Sequence, residues 1–423
     1  MQKITSERIL FMLNCLLFKI FLDVSYIYII SQNYAYSGLS LNLNIFKVIE
    51  SFLVLIIFSR FLPCKIKKIS DFFFTFLYAP LVIPLLSIYG MKDKSRIYIY
   101  MILISALLVY FIINILPKLK LPILIQGRFI AVYSAIFFSI FIFVWIGYRG
   151  GFSYLNFNLL KVYDYRRIVG TQVFPGIFSY FMTWYGKVIN IFLMTYFLWK
   201  KNKLGVIVTI ILQILFFSIT AHRAMLFYPV LIFFIYYFVK KHNIISILMF
   251  SLTLVVLISS IFYWITDNSI LISLFVRRVF FITADHHYNY FDFFSEYGYI
   301  YMPNNVLSSV FRYPFDVPVQ MVISQYLYGH LDTWVNTGFL ATSYMHFGFI
   351  GMLIFSSIIG LILKLMDSII ENRMPKWVGI SIMIIPMFSL RSADLPTILL
   401  THGLGLSLIF LWLLSSRPVN LVN

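Results

Sequence analysis

The chain has 423 residues, of which 61% are hydrophobic and 11% are charged, and its formal net charge is +18. Apolar runs of about 20 residues recur from end to end, which a water-soluble core cannot absorb and a bilayer requires. The composition therefore excludes a soluble globular protein and indicates an all-α polytopic membrane protein. The positive charge does not indicate nucleic-acid binding, because the basic residues are distributed by membrane topology.

The hydrophobic runs, taken in chain order, predict about twelve transmembrane helices. The first run is too long, and too polar at its flanks, for a cleaved signal peptide. The predicted spans are 8–30, 45–62, 72–90, 97–116, 129–147, 179–199, 204–220, 224–240, 244–265, 343–366, 377–391 and 396–415. We expect residues 1–423 to form a single transmembrane domain.

Lysine-rich connections set the predicted orientation, because short cytoplasmic loops carry an excess of basic residues. Four alternate connections contain "KIKK" (65–68), "KLK" (118–120), "KKNK" (200–203) and "KKHN" (240–243). We place these four connections and both termini in the cytoplasm. The connection "MKDKSR" (91–96) disagrees, since it is basic but falls outside in this topology.

Two of the predicted outer loops are long, and they cover residues 148–178 and 266–342. Long loops without an obvious connecting role are usually functional. The second loop is rich in aromatic residues, so we expect interfacial helices there, with Tyr and Phe at the level of the lipid headgroups.

Arginine is the main cation on the predicted outer side, where lysine is scarce. A guanidinium group binds phosphate or carboxylate through two parallel hydrogen bonds, which a lysine ammonium cannot do. The outer arginines therefore predict a site for a polyanionic group such as a lipid-linked diphosphate, with pairing to outer acids as the structural alternative. Among the outer arginines we select Arg166, Arg167, Arg223, Arg277, Arg278 and Arg391 as diphosphate-binding candidates and leave out Arg149 and Arg312.

Two stretches contain most of the remaining polar candidates: 275–298 in the second loop, and 329–351, which runs from this loop into the tenth predicted span. A histidine or carboxylate there could act as a general base towards a sugar hydroxyl. The catalytic candidates are His330, Asp332, Asp292 and Glu296, and the sugar-binding candidates are Tyr288 and Asn336. We interpret His286 and His346 as structural residues, and we expect Lys19 and Asp23 to neutralise one another. No metal-ligand spacing occurs, and no metal or cofactor is expected.

Three segments together carry a family resemblance. "TAHRAML" (220–226), "RRVFFITA" with "YNYFDFFSE" (277–284 and 288–296), and "VNTGFLATSYMHFGFIG" (335–351) resemble segments of Wzy-type O-antigen polymerases. The number of predicted spans and the two large outer loops extend this resemblance over nearly the whole chain.

The resemblance implies a glycosyltransferase of the GT-C type in the bacterial inner membrane, with its active site facing the periplasm. Such an enzyme moves a growing polysaccharide from undecaprenyl diphosphate onto a new lipid-linked repeat unit, without a metal, and works with a chain-length regulator protein. An O-antigen ligase, which transfers the chain to lipid A–core, is the nearest alternative. A repeat-unit flippase or other transporter is the alternative from a different class.

Overall fold

A computed structural model describes residues 6–122, 124–158, 162–241, 243–302 and 312–416. Helices make up 78% of this structure, and these residues contain no strand. The prediction of an all-α polytopic membrane protein is confirmed as far as the fold class is concerned.

The helices, numbered in chain order, are α1 (Ser6–Asn33), α2 (Ile45–Ser59), α3 (Ile69–Met91), α4 (Arg96–Ile115), α5 (Gly127–Tyr148), α6 (Val162–Gln172), α7 (Phe178–Trp184), α8 (Asn190–Trp199), α9 (Lys203–Thr220), α10 (Arg223–Lys241), α11 (Ile244–Thr266), α12 (Ile282–Tyr297), α13 (Val319–Tyr328), α14 (Phe339–Ile370), α15 (Lys376–Ser389), α16 (Leu395–Leu400) and α17 (Leu404–Leu414). Three segments are π-helical: Tyr26–Ile30 within α1, Tyr185–Ile189 between α7 and α8, and Ser273–Phe281 before α12.

Eight helices in the described part of the chain are long and apolar enough to cross a membrane: α1, α3, α4, α5, α9, α10, α11 and α14. They coincide with eight of the twelve predicted spans. The other four predicted spans correspond to shorter or interrupted helices. Predicted span 45–62 contains the 15-residue α2, and 179–199 contains a π-helical turn. The last two predicted spans contain α15, with 14 residues, and α17, with 11. These four crossings stay predictions.

The chain forms two compact units, each built from segments that are distant in sequence. Unit 1 comprises Met1–Pro117, Asn243–Lys364 and Leu390–Leu395. Unit 2 comprises Lys118–His242, Leu365–Ser389 and Pro396–Asn423. The division into two units was not predicted from the sequence, from which a single transmembrane domain was expected.

Helix α3 forms the core of unit 1, where α1, α2, α4, α11 and α12 pack against it. Nearly all of its residues are buried, including Pro80 and Pro84. A helix that is hydrophobic all round is expected to be enclosed by protein or lipid. In unit 2, α15 occupies the comparable position and packs against α8, α10 and α17.

The two long connections contain further helices. The segment predicted as the first outer loop contains α6, and its residues 159–161 lie outside the described part. The second contains α12 and α13, and its residues 303–311 also lie outside the described part. Residues Ala284–Tyr290 of α12 are buried in unit 1, so this helix is part of the core of unit 1.

Candidate functional site

The corner between α9 and α10 brings basic side chains together in unit 2. Helix α9 ends at Ala221, which has a positive φ of 55° and whose N–H donates to Phe217 O. This left-handed residue turns the chain sharply, so that α10 begins at Arg223, two residues later. The side chain of Arg223 is exposed at this corner.

Arg166 of α6 reaches the same corner. Its Nη2 donates to Ala221 O at 3.1 Å, which ties α6 to the end of α9. Backbone contacts support this placement, since the N–H of Asn156 donates to Ser218 O at 2.7 Å. The neighbouring Arg167 is exposed. Three helices, α6, α9 and α10, therefore meet at this corner, and three of the predicted diphosphate-binding arginines lie on α6 and α10.

The corner brings His222 close to two cations, Arg166 and Lys187. Burial lowers the pKa of His222 to about 4, and the charges of Arg166 and Lys187 add to the effect. The imidazole of His222 is therefore neutral at pH 7. His402 lies beside Lys187 in the same place. We call Arg166, Lys187, His222, Arg223 and His402 the corner cluster.

Lys187 was not selected from the sequence, although its charge within a predicted membrane span was visible there. Its Nζ donates to Nδ1 of His402 at 2.7 Å, so the lone pair of this ring is on Nδ1. Lys187 is a charged residue within the predicted span 179–199, and intramembrane charges are usually functional. It also lies in the π-helical turn Tyr185–Ile189, and π-helical turns are frequent at functional sites.

The net charge of the protein is concentrated in unit 2. This unit contains 17 Lys and Arg residues and three acids, whereas unit 1 contains 16 Lys and Arg residues and 12 acids. Two of the three acids, Asp367 and Glu371, lie near the C-terminal end of α14. Glu371 forms an ion pair with Lys118 at 2.8 Å. The third acid, Asp164, lies two residues before Arg166 in α6, and unit 2 as a whole carries most of the net positive charge of the protein.

In unit 1, the acids of α12 face the connection between α3 and α4. Lys92 forms a largely buried ion pair with Asp285, and Lys94 forms a more exposed ion pair with Asp292 at 2.9 Å. Asp93 in turn pairs with Lys47 at 2.7 Å. Burial lowers the pKa of Lys92, and the charge of Asp285 opposes this shift. Both lysines of "MKDKSR" are therefore paired with acids of α12.

The two histidines of α12 are buried and held in defined orientations. Nδ1 of His286 donates to Asn336 O at 2.9 Å, and burial lowers the pKa of this histidine. His287 contacts the hydroxyl of Tyr98 through Nδ1 at 3.2 Å, while its Nε2 has no hydrogen-bond partner among the described residues. Burial lowers the pKa of His287 to about 3. His287 and Arg391 line one small cavity with space for about one water molecule.

His346 is buried and hydrogen-bonded, in agreement with its interpretation as a structural residue. Its Nε2 lies 3.1 Å from Asp394 Oδ2, and its Nδ1 accepts from the N–H of Met302 at 3.2 Å. The backbone donor places the imidazole proton on Nε2. The predicted Lys19–Asp23 pair is also present, at 2.6 Å within α1.

The remaining catalytic and sugar-binding candidates lie at separate places in unit 1. His330 and Asp332 are exposed on the turn after α13, where the N–H of Asp332 approaches His330 Nδ1 at 3.4 Å. Asn336 is also exposed, and Glu296 is exposed near the end of α12. Tyr288 is fully buried and its hydroxyl donates to Leu85 O at 3.2 Å, so it presents no surface to a sugar.

The three remaining arginine candidates are also in unit 1. Arg277 lies over the ring of Tyr34 at 4.3 Å, and Arg278 is exposed one residue later. Arg391 donates to the carbonyl groups of Pro80 and Val279 at 3.3 and 3.4 Å. Burial lowers the pKa of Arg391 to about 10, so it stays charged at neutral pH.

No protein-family model matches the chain, and no curated protein or solved structure matches it. Among the residues that the structure describes, no group of three or more His, Cys, Asp or Glu side chains could hold a metal ion. The candidate sites are therefore defined by their own chemistry. Of these, the corner cluster of unit 2 is the arrangement best suited to a polyanionic ligand.

Proposed function

We propose that this chain is a membrane glycosyltransferase that polymerises undecaprenyl-diphosphate-linked repeat units into O-antigen or a similar surface polysaccharide. The observation that carries the proposal is the corner cluster, where Arg166 of α6 binds the backbone beside Arg223 in a unit with few acids. The resemblance to Wzy-type polymerases supports the choice of donor. In this proposal the site faces the periplasm of a bacterial inner membrane and both termini are cytoplasmic.

The reaction needs a cationic site of this kind. A hydroxyl of the acceptor repeat unit attacks the anomeric carbon of the donor chain, and the bond from that carbon to the diphosphate oxygen breaks. The electron pair leaves with the diphosphate, whose negative charge increases in the transition state. Guanidinium groups held in place before the reaction stabilise such charge. Arg166, Arg167 and Arg223 are assigned this role.

The hydroxyl proton passes to a base. His330 is exposed and sterically accessible, while Asp292 forms an ion pair with Lys94. Asp332 and Glu296 are the other carboxylate candidates, and Asn336 is a candidate for hydrogen bonding to a sugar. Arg277, Arg278 and Arg391 stay in the proposal as further cations for the lipid-linked substrates. Tyr288 is left out, because it is buried.

A transporter of lipid-linked repeat units is the second candidate. It is favoured by Lys187, a cation within the predicted span 179–199 that is bonded to His402. Charged groups inside membrane segments often mark a transport pathway. A transporter would move the repeat unit without extending it, so the two candidates differ in their product.

The test is Arg223→Lys, which keeps the charge but removes the two-pronged donor group. We expect normal amounts of protein and at least a tenfold loss of long polysaccharide, with single-repeat product retained, since removing one stabilising donor typically costs roughly 100-fold or more in rate. Arg128→Lys is the matched control, because Arg128 lies near the opposite end of unit 2. A wild-type ladder in the Arg223→Lys strain contradicts the assignment.

A further inference from the structure

Unit 2 contains a second basic site, at the end opposite to the corner cluster. A cavity of about 470 Å³ is lined by Trp199, Lys201, Tyr236, Lys240, Lys376 and Trp377, together with three apolar residues. Its volume falls within the range of about 300–1,000 Å³ that is common for small-molecule sites. The residues come from the end of α8, the end of α10 and the start of α15. We call this cavity the lower pocket.

The aromatic wall of the lower pocket is well defined. The rings of Tyr236 and Trp377 meet edge to face, with centroids 4.8 Å apart. Nζ of Lys240 lies 4.0 Å from the centroid of Tyr236 and 5.6 Å from that of Trp377. These contacts hold one ammonium group against the wall. The pocket therefore presents a positioned cation to a ligand.

Trp377 supplies an independent indication that the pocket takes a ligand. Its side chain is only 3% exposed, and its indole N–H has no hydrogen-bond partner among the described residues. A buried indole N–H normally has a partner, so a ligand acceptor would satisfy this group. The pocket also includes the start of α15, a 14-residue helix whose first N–H groups and dipole favour an anion. The positioned ammonium group of Lys240, the indole N–H of Trp377 and the start of α15 all favour a ligand with an anionic oxygen.

The position of the pocket indicates which anion binds. Lys240 is the last residue of a helix long enough to span a membrane, so the pocket lies at the predicted inner surface of the bilayer. Within two turns before Lys240, the side chains of Phe233, Phe234 and Tyr237 are exposed. These side chains offer apolar surface for acyl chains. Basic pockets between membrane helices on this side commonly bind phosphate headgroups, and Trp and Tyr are enriched at that depth.

We propose that the lower pocket binds the phosphate of an anionic phospholipid from the inner leaflet. Lys201, Lys240 and Lys376 neutralise the phosphate, the indole N–H of Trp377 donates to one of its oxygens, and Tyr236 and Trp199 contact the glycerol region. This lipid is distinct from the lipid-linked sugar substrate, which is assigned to the opposite end of unit 2. The site would anchor α8, α10 and α15 to one another.

The test is native mass spectrometry of the full-length protein in detergent, titrated with phosphatidylglycerol, phosphatidylcholine or soluble glycerol phosphate. We expect one phosphatidylglycerol to bind at least tenfold more tightly than phosphatidylcholine, and glycerol phosphate to bind weakly. The pocket variant Lys201→Gln/Lys240→Gln/Lys376→Gln should lose this preference. Trp377→Phe, which keeps the ring but removes the donor, should weaken binding roughly threefold or more.

The control variant is Lys67→Gln/Lys120→Gln/Lys203→Gln, which removes three exposed lysines from the same predicted side. It should bind phosphatidylglycerol like the wild type. Equal binding to the pocket variant and the wild type would overturn the proposal, as would equal binding of phosphatidylcholine. If glycerol phosphate binds as tightly as the lipid, the occupant is a soluble phosphate ester and the lipid assignment is wrong. If Trp377→Phe alone retains full affinity, the proposed indole contact is wrong.

Discussion

Burial and two neighbouring cations, Arg166 and Lys187, all lower the pKa of His222. The folded chain keeps its imidazole neutral down to about pH 4, whereas its ordinary pKa is 6.5. A neutral imidazole limits repulsion within the corner cluster. At the scale of single residues, the cluster is therefore an arrangement of permanent cations around a histidine that stays uncharged.

This arrangement predicts a pH dependence of stability. The unfolded chain takes up a proton on His222 near pH 6.5 and the folded chain only near pH 4, so folded stability falls as the pH drops through this interval. The loss is on the order of 1–3 kcal/mol, since one pKa unit corresponds to about 1.4 kcal/mol. His222→Gln should reduce the fall in melting temperature between pH 7 and pH 4.5.

His330→Gln is the control for that experiment, because His330 is exposed. The melting temperature of the His330→Gln variant should follow the wild type across the same pH range. If His222→Gln and wild-type protein lose the same number of degrees on acidification, the proposed burial of a neutral imidazole at the corner is refuted.

At the scale of elements, the kink in α14 positions a buried hydrogen-bond network. Phe347 and Gly348 have non-helical backbone angles, and the φ of Gly348 is +61°. The kink directly follows His346, which bonds to Asp394 and to the N–H of Met302. A side chain at position 348 would be strained and would also lie 2.7 Å from the ring of Tyr299.

Gly348→Ala is therefore expected to destabilise the protein by about 1–3 kcal/mol, mainly through backbone strain. Thermal unfolding in detergent measures this as a lower melting temperature. Gly170→Ala is the matched control, since its Cβ would meet nothing within 4 Å and its φ lies outside the positive range. Alanine there should be neutral or stabilising by up to about 1 kcal/mol. Equal melting temperatures for the two variants would show that alanine is not strained at position 348.

Hydropathy predicts long apolar helices well and helix irregularities poorly. The eight long membrane helices were predicted within a few residues, because each is a continuous apolar run of sufficient length. The π-helical turn around Lys187 and the kink at Gly348 were not predicted. Both depend on tertiary contacts and backbone geometry, to which a sliding average of hydrophobicity is insensitive. The buried position of Tyr288 was missed because α12 was taken for a surface helix.

At the scale of the whole molecule, the excess positive charge is concentrated in unit 2. This was not apparent from the sequence, since each unit joins segments more than 100 residues apart and their charges can be counted only once the fold is known. The arginine bias of the predicted outer side was visible in the sequence, and three of those arginines lie on the helices that meet at the α9–α10 corner.

Arg149 has a structural role instead, because its guanidinium donates twice to Gln172 O, at 3.0 and 2.6 Å.

The central claim is that the chain extends lipid-linked repeat units, and a deletion strain tests it most directly. Surface polysaccharide from the wild-type, deletion and complemented strains is separated by gel electrophoresis. We predict that the deletion strain retains lipid A–core carrying a single repeat unit, lacks all longer products, and regains the ladder on complementation. Loss of all substituted core, including the single-repeat product, would indicate a ligase or transporter, and a complete ladder would exclude a role in polymerisation.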